Sequence, residues 1–174
     1  HISSKDSEGN SFEIVVRDLR ADDMRRMRVN MLELNKTHVP NYFDDQRFGC
    51  LRHGQGFIVR KLMAGDFEQA LLAMLAAPSK YGSEKIEQFK YGIQKRWGDW
   101  SELASYTKHR RGYSAFDHLL KNPTDFSGAI RIGIASREKT IHLFAYQSYL
   151  WNKAASSLVQ SIADSKELAW LPND

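Results

Sequence analysis

Residues 39–49 constrain the fold of this chain more than any other stretch, with the sequence Val-Pro-Asn-Tyr-Phe-Asp-Asp-Gln-Arg-Phe-Gly. Three aromatic residues, two amides and one arginine fall within these eleven residues, between a proline and a glycine. Proline and glycine at these positions disfavour a long helix or a central strand. Core strands seldom hold Asn, Gln and Arg this close together, and solvent loops seldom hold three aromatic residues. The stretch is therefore predicted to be a bent loop.

Two interpretations of this loop are open. In the first, an aromatic face stacks on a planar base, the amides bond to the edge of the base, and Arg47 holds a phosphate. In the second, the aromatic residues anchor the loop to the core, and Arg47 caps backbone carbonyls. Composition by itself favours the second interpretation.

The order of residues favours the first. The pattern Asn-Tyr-Phe-x-x-Gln-Arg-Phe-Gly over residues 41–49 resembles the loop motif of the TruD-type tRNA pseudouridine synthases. The pattern Gly-Asn-x-Phe over residues 9–12 resembles the strand that precedes this loop in that family. Residues 145–152, Ala-Tyr-Gln-Ser-Tyr-Leu-Trp-Asn, are similar to the helix that opens the family's inserted domain. Three motifs in the family's order make a stronger match than one.

The resemblance implies an RNA-modifying isomerase that converts a uridine of tRNA to pseudouridine, in the D-arm and of the uridine-13 type. It implies tRNA as the partner and no metal or organic cofactor. Asn41 would shape the pocket beside the nucleophile, and Phe43 would stack near the target uracil. The resemblance also matches Gln46, Arg47, Phe48 and Gly49 to the rest of the family's loop.

The family's catalytic motif, Lys-Asp-x-x-Ala-x-Thr-x-Gln with the Asp as nucleophile, is not matched here. Asp6 follows a lysine but precedes Ser-Glu-Gly-Asn, so we interpret it as a surface turn residue. The chain opens on His1 without an initiator methionine, and we expect a partial chain whose nucleophile lies upstream. Asp44 also departs from the family, which usually has glycine at this position. An acid near RNA phosphates is unfavourable unless it is turned away.

A basic window begins within the loop. Residues 46–65 contain no acid, and four cations fall among them: Arg47, Arg52, Arg60 and Lys61. We predict that these cations, together with Gln46, bind RNA. A further cluster, Lys-His-Arg-Arg at residues 108–111, either contacts RNA backbone or is a solvated surface. The net charge of +4 permits nucleic-acid binding without requiring it.

The fold class expected is α+β and predominantly α-helical. Phe12, Ile14 and Val16 alternate with other residues at the period of a strand with one buried face. On the family resemblance, residues 1–65 are a segment of the pseudouridine synthase catalytic domain, and residues 66–174 are part of the helical inserted domain. Apolar periodicity predicts helices over residues 22–34, 57–63, 66–77, 83–97, 100–106, 114–121, 126–135 and 141–163.

Several details of these helices are open to test. A methionine stripe on the first helix, Met24, Met27 and Met31, is predicted to fill core space. Asp66 is predicted to cap one helix, and Ser83 with Glu87 nearly forms a capping box at another. The longest helix is expected to bury an apolar stripe at every fourth residue: Leu150, Ala154, Leu158 and Ile162. Gln147 and Asn152 are candidates for structural amides.

Other chemistries find little support in the sequence. Neither Cys-x-x-Cys nor His-Glu-x-x-His occurs, and no metal site is predicted. Gly-x-Ser-x-Gly and the Walker loop are also missing. His118 follows Asp117, but adjacent helical positions point apart, which disfavours a hydrolase. No apolar run of about 18 residues predicts a membrane span. The single Cys50 suits a reducing cytoplasm.

One alternative from another class stays open: a non-catalytic RNA-binding or protein-interaction module derived from the same family. The two hypotheses differ in whether the nucleophile motif lies upstream of His1.

Overall fold

The computed structural model describes residues 9, 11–37, 40–51, 54, 56–79 and 82–162. Within these ranges the secondary structure consists of eight α-helices and one 3₁₀ helix, with no strand. The chain divides into two compact units, residues 1–40 and 41–174. The predominantly helical fold is thus confirmed. The family-based boundary between residues 65 and 66 stays a prediction.

The first unit contains helix α1, Ala21–Thr37, where a helix was predicted. Its first turn is stabilised by acids, because Asp23 accepts a hydrogen bond from the Arg20 backbone N–H at 3.1 Å. The predicted core role of the methionine stripe is wrong for this structure, since Met24 is 38% and Met31 54% exposed. Periodicity selects a face of the helix, but no other described element of this unit covers that face.

The strand predicted from Phe12, Ile14 and Val16 is not formed. The described residues before α1 have no regular structure, and Phe12 and Ile14 are 79% and 81% exposed. A strand exists only when a second backbone pairs with its N–H and C=O groups. Residues 11–17 have no such pairing with any described part of the chain. The alternating residues are therefore not part of a sheet within the described part of the chain.

The second unit is a helical bundle that begins with a 3₁₀ helix, Asp45–Leu51. Seven α-helices follow: α2 Ile58–Met63, α3 Phe67–Ala76, α4 Glu84–Lys95, α5 Trp100–Thr107, α6 Ala115–Lys121, α7 Phe126–Gly133 and α8 Ser136–Ile162. Helix α3 packs on α4 and α7, and α6 packs on α5 and α7. Side chains from α3, α4, α5 and α6 are fully buried in the core between them: Leu71, Ile93, Leu103, Phe116 and Leu119.

Aspartate caps begin three of these helices. Asp66, Asp99 and Asp125 each accept a hydrogen bond from the backbone N–H three residues later. The predicted cap at Asp66 is therefore confirmed. The near capping box at Ser83 does not act as a cap, because the Ser83 side chain makes no cap bond and Glu87 accepts from the Ser79 backbone N–H at 2.8 Å.

Two glycines in α7 have a packing role. A Cβ added at Gly133 would overlap the backbone of Ala115, and one added at Gly128 would overlap the Asp125 carboxylate. The missing side chains let α6 and α7 approach closely, which offsets the poor helix propensity of glycine. The helix predicted over residues 126–135 forms for this reason despite its two glycines.

Helix α8 is the longest helix, as predicted, but its predicted inner face is wrong. Leu150, Leu158 and Ile162 are 48%, 61% and 76% exposed. The face that packs on the bundle instead carries the buried residues His142, Ala145 and Ser148. Beside them lie Tyr146 and Tyr149, whose ring centroids are 5.2 and 4.8 Å from that of Phe57. An apolar stripe predicts which side of a helix gains most from burial, but that side is buried only where another element packs against it. None of the helices in the described part is long and apolar enough to span a membrane.

The partner of His118 is Asp125, not the adjacent Asp117. His118 Nε2 lies 2.8 Å from Asp125 Oδ2, while Asp125 Oδ1 accepts from the Gly128 N–H at 2.8 Å. The Gly128 N–H, followed by the His118 side chain, lowers the pKa of Asp125. This pair therefore joins α6 to the start of α7 and has a structural role.

The lowered pKa of Asp125 predicts a pH-dependent contribution to stability. A carboxyl whose pKa is lower in the folded state stabilises the fold above its unfolded pKa, about 3.9, and loses that effect as pH falls through the folded pKa. Asp125→Asn should lower the melting temperature at pH 7, and the difference should shrink as the pH falls below about 3.9. Thermal melts from neutral to acid pH measure this. The exposed carboxylate of Asp117, changed to Asn, is the control; a pH-independent difference for Asp125→Asn would contradict the assignment.

Candidate functional site

The loop predicted from residues 39–49 is bent in the structure. Residues 40–44 have no regular secondary structure, and the 3₁₀ helix begins at Asp45. The Asp44 carboxylate accepts a hydrogen bond from the Asp45 backbone N–H at 2.7 Å. This contact engages the Asp44 carboxylate within the loop itself. The loop thus turns directly into a short helix.

Helix α8 holds this loop through two adjacent side chains. The Asn152 Nδ2 donates to the Phe43 carbonyl at 2.8 Å, and the Phe43 backbone N–H donates to Asn152 Oδ1 at 2.9 Å. The Trp151 Nε1 donates to the Asn41 carbonyl at 2.8 Å. An amide is well suited to this role because it carries a donor and an acceptor side by side. The prediction that Asn152 is a structural amide is confirmed.

The ring of Phe43 is partly buried and carries Arg47 on one face. The Arg47 Cζ lies 4.9 Å from the centroid of the Phe43 ring, within the range of a cation–π contact. This contact restricts the guanidinium of Arg47 although the side chain is exposed. Phe43 and Arg47 therefore form a joined pair at the surface of the unit.

One side of this pair borders an open cleft of about 550 Å³, which we call the tryptophan cleft. Phe144 and Trp151 line it with rings that are 47% and 53% exposed. Its remaining lining residues supply polar groups or belong to the pair itself: Asn41, Phe43, Arg47, Gln147 and Ser148. None of the residues that line this cleft is a carboxylate or a thiol. The cleft can thus bind and orient a flat ring, but its lining brings no evident nucleophile.

Ser148 is the unusual polar residue of the tryptophan cleft. It is only 4% exposed, and its hydroxyl makes no hydrogen bond to another described residue. Helical hydroxyls often bond back to the fourth carbonyl before them, as Thr140 does to Ser136 at 2.9 Å. Buried polar groups are nearly always hydrogen-bonded, to protein, water or ligand. Ser148 thus places a buried hydroxyl without a described protein partner in the lining of the cleft.

A second cleft of about 570 Å³, the arginine cleft, is also lined by Phe43 and Arg47. It shares Phe43, Arg47 and Phe144 with the tryptophan cleft. Its other lining residues come from the loop and from the first two turns of α8: Tyr42, Asp44, Gln46, Arg137 and Ile141. Because these three residues line both clefts, the clefts adjoin one another, and we call Phe43, Arg47 and Phe144 the shared wall.

The structure brings together four of the predicted site residues: Asn41, Phe43, Gln46 and Arg47. Arg60 and Lys61 lie on α2 and line neither cleft, so their RNA contact stays a prediction. Both fall in the last turn of α2, where cations also stabilise the helix dipole. Arg52 and Asp6 lie outside the described residues.

Sequence reasoning missed the contribution of α8 to the site. Arg137, Phe144, Ser148 and Trp151 line the clefts, and none was assigned to RNA. Residues 144, 148 and 151 are three or four positions apart, the spacing that places side chains on one helical face. This spacing could have identified the face that lines the clefts. The apolar stripe at residues 150–162 instead predicted that a different face of α8 is buried.

A third cavity, of about 360 Å³, lies beside the arginine cleft. Cys50, Glu138 and His142 are among its lining residues. Burial raises the pKa of the Cys50 thiol and that of the Glu138 carboxyl. A thiol with a raised pKa is a poor nucleophile at neutral pH. In the described part of the chain, no group of three or more His, Cys, Asp or Glu side chains is arranged to hold a metal.

Comparison with known proteins agrees with the motifs. The family model for tRNA pseudouridine synthase D (TruD) matches residues 1–169. The chain is 34% identical over 166 residues to a probable tRNA pseudouridine synthase D 2 of Methanocaldococcus jannaschii, which covers 93% of this chain and 39% of that protein. It is 32% identical over 148 residues to the tRNA pseudouridine synthase D of Aquifex aeolicus, and this match covers 84% of this chain and 36% of that protein. The chain spans about two-fifths of the length of these curated relatives. No solved structure matches it.

The Asn152 contact predicts a specific loss of order in the loop. Asn152→Ala removes both hydrogen bonds to the Phe43 peptide and should lower the local opening free energy by about 1–3 kcal/mol. Faster amide hydrogen exchange at Phe43, measured by NMR, is the expected result. Gln160→Ala, on the same helix and away from the loop, is the matched control and should leave that amide unchanged. Equal exchange at Phe43 in both variants would show that Asn152 does not hold the loop.

Proposed function

The chain belongs to the TruD family of tRNA pseudouridine synthases, and on that premise we propose that it forms the base-binding side of an enzyme that isomerises a uridine of tRNA. The observation that carries the proposal is the tryptophan cleft. It combines exposed aromatic rings with a buried hydroxyl that has no described protein partner. On the family resemblance, the proposed target is a uridine of the D-arm. The single Cys50 suits a reducing cytoplasm as the place where the enzyme acts.

The reaction defines what such a cleft must provide. Pseudouridine forms when the N-glycosidic bond of uridine breaks, the base rotates, and a ring carbon bonds to the ribose in its place. A base inside folded RNA must first be everted into a pocket. Everted bases are held by stacking on aromatic side chains and by hydrogen bonds to their edges. No step requires a redox or metal cofactor.

Phe43 is proposed as the ring that stacks on the everted uracil. Its backbone is held on both sides by Asn152, so the ring is positioned before RNA binds. Trp151 and Phe144 complete the aromatic lining of the cleft. Pre-positioned groups bind more tightly because little ordering entropy remains to be lost.

Polar side chains around the cleft suit the edge of uracil, which offers two carbonyl acceptors and one N–H donor. A hydroxyl both donates and accepts, and an amide does so through separate atoms. Ser148 and Gln147 are proposed to bond this edge, and Asn41 to shape the pocket beside the nucleophile. Arg47, held over the Phe43 ring, is proposed to contact a phosphate or to orient the loop.

The nucleophilic aspartate is proposed to lie outside the residues that line the tryptophan cleft. A carboxylate must approach the ribose or base from the open side of the cleft, where a nearby cation would keep it ionised. On the family pattern it follows a lysine in the motif Lys-Asp-x-x-Ala-x-Thr-x-Gln. We further propose that residues 1–65 belong to a mixed-sheet catalytic domain and residues 66–174 to a helical insertion. The exposed alternation of Phe12 and Ile14 would then pair with other strands of that sheet.

A non-catalytic module that binds RNA or protein is the alternative. The exposed stripe of Leu150, Leu158 and Ile162 favours an interaction role for the outer face of α8. The longest reading frame that contains this sequence separates the two, since an enzyme requires the nucleophile motif.

Phe43→Ala tests the stacking assignment in the protein expressed from that frame. Loss of one base–aromatic stack costs about 1–3 kcal/mol, so turnover on tRNA should fall about 5- to 150-fold. Tyr91→Ala, which removes an exposed ring of α4 that lines neither cleft, should leave turnover unchanged. Thermal melts of both variants check that the fold persists. Unchanged turnover with Phe43→Ala would remove the assignment.

Ser148→Ala tests the edge contact. A single neutral hydrogen bond contributes about 0.5–1.5 kcal/mol, so kcat/KM should fall by roughly three- to tenfold. Stability should stay the same or rise, because the hydroxyl has no described protein partner to lose. Steady-state kinetics and melts measure the two effects. A loss of stability without a change in kcat/KM would place the Ser148 hydroxyl in the fold instead of the site.

A further inference from the structure

We propose that the arginine cleft is a second nucleotide subsite, which binds the phosphate and the base of a nucleotide next to the everted uridine. The proposal rests on the proposed function of the tryptophan cleft. It assigns a binding role to Arg137, a residue of α8 outside the loop motif.

The shared wall of the two clefts supports this placement. Phe43, Arg47 and Phe144 line both clefts, so an RNA strand with one base in the tryptophan cleft lies next to the arginine cleft. The everted nucleotide stays covalently joined to its neighbours, and its flanking phosphate must therefore pass close to this wall. A volume of about 570 Å³ lies in the range of small-ligand pockets and is sufficient for one nucleotide.

The lining chemistry suits a nucleotide. Arg137, Ile141 and Phe144 follow one another at spacings of four and three on α8, so they share a helical face. The guanidinium of Arg137 forms no ion pair with any carboxylate in the described ranges. Guanidinium groups bind phosphate oxygens with two parallel hydrogen bonds. The half-exposed ring of Phe144 offers a stacking face for the attached base.

Electrostatics in the cleft favour an anion. The charged residues that line the cleft are two arginines, Arg47 and Arg137, and one aspartate, Asp44. Asp44 already accepts a hydrogen bond from the Asp45 backbone N–H at 2.7 Å. Arg47 is held by the Phe43 ring, so its position is set before RNA arrives. The cleft therefore carries a net positive charge on a partly preorganised frame.

Arg137→Gln tests the subsite in the protein from the longest reading frame that contains this sequence. Affinity for a tRNA-derived hairpin, measured by fluorescence anisotropy at several salt concentrations, should fall about tenfold. The slope of log K against log salt should become less steep by about 0.7, the value for one phosphate of a single strand. Arg131→Gln, which removes an exposed arginine of α7 that lines neither cleft, is the control for net charge.

An RNA hairpin with one uncharged linkage can show which phosphate Arg137 contacts. Hairpins with a methylphosphonate at the phosphate before or after the target uridine remove one charge at a defined position. At one of these two positions, the penalty of Arg137→Gln should shrink from about tenfold to less than about twofold, because the partner is already absent. An equal penalty on all hairpins, or an equal effect of Arg131→Gln, would overturn the subsite.

The two proposals fail in different ways. If Arg137→Gln has no effect on binding while Phe43→Ala loses turnover, the subsite is rejected and the base-binding role of the tryptophan cleft stands. If Phe43→Ala also leaves turnover unchanged, both the subsite and the proposed function are rejected.

Arg137→Lys keeps the positive charge but lacks the planar guanidinium, so it should recover part of the affinity that Arg137→Gln loses.

Discussion

The geometry of the site depends on one side chain, the amide of Asn152, which bonds both backbone groups of Phe43. These two hydrogen bonds link residues 109 positions apart in sequence, so they place the loop directly on the longest helix. Trp151 adds a third bond to the Asn41 carbonyl. Phe43 lines both clefts together with Phe144 of α8, so the contact that fixes the Phe43 backbone also helps to shape both clefts.

This contact also accounts for the orientation of α8. Tyr146 and Tyr149 pack on Phe57, and Asn152 reaches the loop, so the inner face of the helix is aromatic and polar. The aliphatic stripe that begins at Leu150 is consequently exposed. The buried Ser148 fits the same arrangement, because this part of the helix lines the tryptophan cleft as well as the packing surface.

Sequence patterns predicted the helices well and the faces of those helices poorly. Asp66 marked a helix start correctly because a cap depends on neighbours three residues away. The strand at residues 12–17 and the buried methionines of α1 failed because each needs a partner that local periodicity does not specify. For the site, the loop motif identified Phe43 and Arg47, but Arg137 and Ser148 come from a distant helix. Only the fold places them beside the loop.

The central claim is that the Phe43 ring, held by Asn152, stacks on the everted uracil. Proton NMR of a tRNA-derived hairpin with a ¹³C-labelled target uridine tests it most directly, because a proton above an aromatic ring shifts upfield. We predict an upfield shift of the uracil H6 resonance in the complex, which Phe43→Leu reduces. A resonance that keeps its unbound position, or a shift that Phe43→Leu leaves intact, would contradict the claim.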